Sequence, residues 1–220
     1  MSDPAKKLYL KLGVEGLSEL TSEEKTAAML AFLKKEISST GKILDIACGY
    51  GRLSIPLKQA GYSVYGIDLS PNLVDAAKEN ALNSCVDIGF RLGDMRDLPY
   101  EDNFFDTVIC MWTSFCHMLN KKDQVKAIRE MVRVVRKGGI VIVDMPDPEK
   151  NIEGGCFIGD SKHLFKNQIK DCDVLLFLHT KQSLSDLIEE AFAKHDNDHD
   201  VIIKYENIGK SRRLVLILVK

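Results

Sequence analysis

Three acids and two glycines in the first half of the chain have the types and spacing to hold a ligand. Asp45 closes the apolar part of ILDIACGYGRLS (43–54), and Gly49 and Gly51 follow with one residue between them. Glycines at a strand-to-helix turn let the backbone approach a ligand closely, because a Cβ there clashes. The helix that starts near Gly51 offers unpaired N–H groups and the positive end of its dipole, a place for an anionic ligand group. A diphosphate and an amino-acid carboxylate are the two candidates. Asp45 separates them, because a carboxylate at the strand end repels a diphosphate yet holds a ligand ammonium. A zwitterionic amino-acid moiety satisfies both charges.

Asp68 ends the second apolar run, VYGIDLS (64–70), where a carboxylate can accept hydrogen bonds from both hydroxyls of a ribose. Farther on, Gly93-Asp94-Met95 places an acceptor and a backbone N–H where an adenine ring needs them. A ligand with an amino acid at one end and adenosine at the other is S-adenosylmethionine. The residues expected to hold it are Asp45, Cys48, Gly49, Gly51, Asp68, Leu69, Asp94, Met95 and Met111, with Cys48 simply a small residue that fits the glycine turn.

The elements that must position these groups follow from periodicity. Short β-branched or apolar runs alternate with longer amphipathic ones, the β-α-β-α pattern of an open, mostly parallel sheet with helices on both faces. Strands are expected at 42–46, 63–67, 86–91, 105–111 and 140–144. Helices follow from near Gly51 to Gly61, from Pro71 through Asn83 behind an N-cap at Ser70, and over Lys122–Arg136, closed by Lys137-Gly138-Gly139. Residues 1–40 read as a helical cap, with Thr21-Ser22-Glu23-Glu24 as a capping box. Residues 147–173 are rich in Gly, Lys, Asn and Asp without a clear period, so 147–180 is taken as a variable substrate region. A further strand is expected at 174–178, a helix at 184–192, and a closing antiparallel hairpin from 201–207 and 214–219 with its turn at 208–213.

Composition excludes several classes. The 220 residues suit one domain. Thirty basic residues against 32 acidic ones, without a basic stripe, leave no electrostatic footprint for nucleic acid. The six cysteines show no Cys-x-x-Cys pair, which argues against zinc and a disulfide framework and for a reducing compartment. The segment HDNDHD (195–200) lacks the Gly and distal Glu of a calcium loop and reads as a solvated turn, so no metal is expected. The N-terminus has no apolar signal core, and no apolar run approaches the roughly 20 residues that cross a bilayer. A soluble, cytoplasmic monomer or homodimer is expected.

With ILDIACGYG (43–51), VYGIDLS (64–70), GDMRDLPYEDNFFDTVIC (93–110) and REMVRVVRKGGIVIVD (129–144) in this order, the sequence resembles the class I S-adenosylmethionine-dependent methyltransferases. The resemblance implies a Rossmann-like, doubly wound, seven-stranded sheet in the order 3-2-1-4-5-7-6 with strand 7 antiparallel. It also implies methionine binding at Asp45, Gly49 and Gly51, ribose at Asp68 and adenine at Asp94 and Met95. The segment CMWTSFCHML (110–119) is where this family places residues facing the methyl acceptor, and its Ser-Phe-x-His-x-Leu is similar to glycine and sarcosine N-methyltransferases. The DMPDP after the fifth strand lacks the arginine those enzymes use for a substrate carboxylate, and motifs for methylating nucleobases are missing after the fourth strand. A small-molecule O, N or S acceptor is the resulting expectation.

Methyl transfer from a sulfonium is an in-line displacement, so alignment, desolvation and removal of an acceptor proton remain for the protein to supply. His117 is the best-placed base and His163 a weaker one, Trp112 and Phe115 can wall an apolar acceptor, and Tyr9 can close over the site. Two other readings share these residues. A module that binds S-adenosylmethionine and regulates a partner needs no base. A nicotinamide-dependent oxidoreductase also uses Gly49-x-Gly51 with Asp68, but Ser54 stands where its third glycine belongs.

Overall fold

The computed structural model describes residues 4–37, 41–150, 155–169, 172–192 and 199–220. Two helices, α1 (Pro4–Leu20) and α2 (Glu23–Glu36), precede β1 (Lys42–Ile46), α3 (Ser54–Gln59), β2 (Ser63–Asp68), α4 (Pro71–Asn83) and β3 (Gly89–Leu92). Then come β4 (Phe105–Cys110), a 3-10 turn (Ser114–His117), α5 (Lys121–Val134) and β5 (Val135–Pro146). The chain closes with β6 (Cys156–Phe157), β7 (Leu164–Ile169), β8 (Cys172–Phe177), α6 (Lys181–Ala191), β9 (Asp200–Ile208) and β10 (Ser211–Val219).

Seven strands form one sheet in the order β3-β2-β1-β4-β5-β10-β9, with β10 antiparallel to both β5 and β9. This is the expected doubly wound Rossmann-like sheet. Period-two alternation feeds its two faces. Leu44, Val108, Val141, Val143, Leu214 and Leu216 pack with α1, α5 and α6, whereas Ile43, Ile109, Ile142, Val215 and Ile217 pack with α2, α3 and α4. Parallel strands covered on both faces must be apolar throughout, which is why these runs read as continuous. β6, β7 and β8 make a separate three-stranded antiparallel sheet. No helix among the described residues is long and apolar enough to cross a membrane.

Several boundaries depart from the sequence reading. Helix α1 falls within the expected helical cap, but the sequence reading gave it no bounds; Gly13 (φ 60°, ψ −167°) breaks its course and masks the period. Ser22 caps α2 by accepting from the Lys25 N–H, and with Lys at the third helical position the capping box does not form. The third strand starts at Gly89, three residues later than expected, and α3 starts at Ser54 because Gly51 is left-handed (φ 86°). Lys137-Gly138-Gly139 does not end α5; it lies inside β5, where pairing with β4 jumps from Phe105↔Val135 to Thr107↔Ile140. The region 147–173 is not wholly irregular: its short strand β6 pairs with β7, which pairs with β8. The hairpin turn is only Gly209-Lys210, which moves Arg212 and Arg213 out of the turn and into β10. Residues 195–198 of HDNDHD lie outside the described residues.

Candidate active site

The C-terminal ends of β1, β2, β4 and β5 open into a cavity of about 900 Å³. Asp45, Cys48, Gly49, Asp68, Leu69, Asp94, Met95 and Met111 line it, as do Trp112, His117 and Tyr9. Gly51 does not. It shapes the turn instead, with a left-handed backbone and Ile55 and Phe90 packed so close that a Cβ would sit 3.1 Å from one and 3.3 Å from the other. His163 also stays outside: its ring stacks on Phe177 and its Nδ1 meets the Leu178 carbonyl at 2.9 Å.

Two buried carboxylates frame the glycine turn. Asp45 accepts a 2.5 Å hydrogen bond from the Ser54 hydroxyl. Burial pushes its pKa up to about 7, against the opposing effects of Ser54 and the Arg52 charge. Asp68 accepts the N–H groups of Gly49 (2.8 Å) and Ser70 (2.9 Å). Burial raises it too, while those N–H groups hold it down. Asp68 therefore fixes the turn from the neighbouring strand and leaves lone pairs facing a cavity large enough for a small ligand. Burial likewise raises the Cys48 thiol, which suits a small packed residue rather than a nucleophile.

Beyond β3, Asp94 sits side-on against Arg96, with Nε–Oδ1 at 2.9 Å and Nη2–Oδ2 at 2.5 Å, and Arg96 also holds Asp123 at 2.8 Å. Burial alone would raise Asp94, but the Arg96 hydrogen bonds prevail and lower it. Asp94 thus reaches the cavity as part of a network that the Gly-Asp-Met spacing did not reveal.

After β4 the backbone turns left-handed at two side-chain-bearing residues, Trp112 (φ 58°) and Thr113 (φ 72°). Such a pair persists only where its surroundings over-determine it. Here Asp144, fully buried at the end of β5, accepts the Trp112 N–H and pairs with Arg213 Nε at 2.6 Å, while Arg213 Nη2 donates to the Thr113 hydroxyl at 2.9 Å. The Trp112 ring carries the Arg52 guanidinium 4.6 Å from its centroid. His117, on the 3-10 turn that follows, shares a 2.9 Å hydrogen bond between its Nε2 and the Tyr9 hydroxyl of α1. Phe115, read as a possible acceptor wall, is fully buried in the core.

Sequence reasoning did not find Arg52, Asp144, Arg212 or Arg213. The signal for Asp144 was present, an acid closing an otherwise apolar strand, but its partner lies 69 residues away.

A family model for a methyltransferase domain matches residues 43–139, the segment that supplies Asp45, Asp68, Asp94 and His117. This stretch matches a methyltransferase domain, and the fold around it is consistent with the class I S-adenosylmethionine-dependent methyltransferases. Similar proteins include the glycine/sarcosine N-methyltransferase of Parasynechococcus marenigrum, 35% identical over 121 residues, covering 54% of this chain and 43% of that protein. The demethylmenaquinone methyltransferase of Deinococcus radiodurans is 33% identical over 122 residues, 54% of this chain and 49% of that one. The chain spans about half the length of the curated relatives it matches. In fold, the domain resembles an S-adenosylmethionine-dependent methyltransferase from Clostridium acetobutylicum, with a TM-score of 0.67 at 13% identity over 97% of this chain and 96% of that one.

Proposed function

We propose that the protein transfers a methyl group from S-adenosylmethionine to a small-molecule O, N or S acceptor. One observation carries this reading: a single cavity joins the Asp45–Gly49–Asp68 cradle to Trp112 and the Tyr9–His117 pair. A module that only binds S-adenosylmethionine needs no space beyond the cradle, and this cavity continues past it. Relatives that act on small molecules support the acceptor class.

In this reading Asp45 takes the ligand ammonium, Arg52 brings positive charge to the carboxylate, Asp68 takes the ribose diol, and Asp94 with Met95 takes the adenine edge. Cys48, Gly49, Leu69 and Met111 shape the walls. The bound sulfonium supplies an electrophilic methyl and a good leaving group, so the protein's own work is alignment and proton removal. Burial raises the Tyr9 hydroxyl above its ordinary range and keeps it protonated, and with His117 in the tautomer whose Nε2 carries no hydrogen the Tyr9 O–H donates to that nitrogen. Tyr9 then accepts the acceptor's proton as it gives its own to the ring, and His117 stores the charge. Asp45 also argues against a nicotinamide dinucleotide, whose diphosphate falls beside a buried carboxylate.

The test is turnover. Purified protein with S-adenosylmethionine and a panel of small amines, phenols and thiols should release S-adenosylhomocysteine, and His117→Ala should reduce that release without altering cofactor affinity. Tight binding without turnover across the panel favours the regulatory module.

A further inference from the structure

On the β5 and β10 side of the cavity the wall is built by Pro146, Asp147, Glu149 and Lys150 and by residues 210–213. Most charges there are already spent. Arg213 is closed onto Asp144, and Lys210, largely exposed, pairs with Glu24 at 3.1 Å. Arg212 differs. Its Nη1 lies 3.2 Å from Asp147 Oδ2 and 4.0 Å from Glu149, and its guanidinium carbon lies 4.0 Å from the Tyr205 ring centroid. The Asp147 side chain beneath it is fully buried; its Oδ1 accepts the Glu149 N–H at 2.9 Å, and its Oδ2 accepts no hydrogen bond.

Arg212 is thus held by a ring and a buried carboxylate, with 29% of its side chain exposed. Among the described residues its guanidinium donates no hydrogen bond of normal geometry. A fixed planar cation with unspent donors in a concave wall suits an oxyanion, which it can bind through two parallel N–H bonds. The segment after β5 has no arginine of its own, yet antiparallel pairing of β10 with β5 brings one to that place. Ile169, Val174 and Leu176 of the three-stranded sheet line the same cavity and offer the apolar surface for the rest of such a molecule.

We propose that Arg212 receives an anionic oxygen group of the methyl acceptor, a carboxylate or a phosphate, with Asp147 and Tyr205 as positioning residues. This rests on the methyl-transfer reading and names the substrate class it takes.

The test uses the full chain saturated with S-adenosylhomocysteine and follows Trp112, the only tryptophan, by fluorescence. Benzoate, phenyl phosphate and the neutral benzamide are titrated in parallel. At least one anion should give a saturable response at least about tenfold tighter than benzamide, and which anion does so separates carboxylate from phosphate. Arg212→Ala should weaken that response about tenfold or more and leave the S-adenosylhomocysteine affinity unchanged; Arg212→Gln serves if the alanine variant does not fold. Tyr205→Phe should retain anion binding and Tyr205→Ala should lose it. Equal responses to benzoate, phenyl phosphate and benzamide, no saturable response to either anion, or indifference to Arg212→Ala overturns the proposal. Failure of S-adenosylhomocysteine itself to bind instead overturns the methyl-transfer reading, and this proposal falls with it.

Discussion

The Tyr9 hydroxyl lies 2.9 Å from His117 Nε2, joining positions 108 residues apart, and both side chains line the same cavity. The rings meet edge to face with centroids 5.3 Å apart. The N-terminal helix therefore supplies part of the site rather than simply covering the sheet. In the proposed mechanism, His117→Ala lowers kcat by about 10²–10⁴-fold, the usual range for a lost general base. Tyr9→Phe, which removes the relay but keeps the ring, lowers kcat in the same direction with little change in the S-adenosylmethionine Kd. Steady-state kinetics beside calorimetric Kd values check both.

The Asp144–Arg213 pair governs stability. Removing one partner of a buried pair leaves the other charge uncompensated, so Arg213→Ala should cost about 3–5 kcal/mol. It also releases Thr113, which lets the left-handed Trp112–Thr113 turn relax. Urea unfolding reads the loss, and the fluorescence of the single tryptophan reports the turn directly.

With Asp45 in the proposed role, ligand binding and ligand-free stability respond oppositely to pH. Its folded pKa of about 7 stands above the ordinary carboxylate value. Without ligand, the folded state binds the extra proton, so this group's stabilising contribution is fully present in acid and is lost as pH rises towards about 7. An ammonium prefers the ionised form. S-adenosylmethionine affinity should therefore climb as pH rises through about 7, until the ligand's own amino group deprotonates near 8. Asp45→Asn should bind more weakly and lose the rise on the acidic side. A flat wild-type profile between about 6 and 8 contradicts this role.

Gly51 is required by conformation. At φ 86° and with Ile55 and Phe90 in van der Waals contact, an added Cβ is strained and crowded. Gly51→Ala should destabilise the domain by about 1–3 kcal/mol and weaken cofactor binding through the displaced turn. Gly61, also left-handed but with open space around it, is the control: its alanine variant should leave cofactor binding unchanged.

What was legible in the sequence is what local pattern dictates. The parallel strands are buried on both faces and read as apolar runs, and the glycine turn, the acid near the end of β1 and the acid closing β2 follow from spacing. Three kinds of feature were not legible. Short strands such as the two-residue β6 and the six-residue β7 carry no alternation strong enough to distinguish them from loop. The extent of helix α1 inside the expected helical cap is hidden by the break at Gly13, so its period does not sum. Arg212 and Arg213 act through tertiary pairing with residues after β4 and β5, and nothing in their own neighbourhood announces those partners. Asp94 was found, but its grip by Arg96, two residues on, was not.

The central claim is that the cradle of Asp45, Gly49 and Asp68 binds S-adenosylmethionine. Calorimetric titration of the full chain with S-adenosylmethionine, and in parallel with NADH, tests it most directly. The account predicts micromolar binding of S-adenosylmethionine, at least about tenfold weaker in Asp68→Ala, with no comparable response to NADH. Absence of binding to both S-adenosylmethionine and S-adenosylhomocysteine, or tighter binding of NADH, would contradict it.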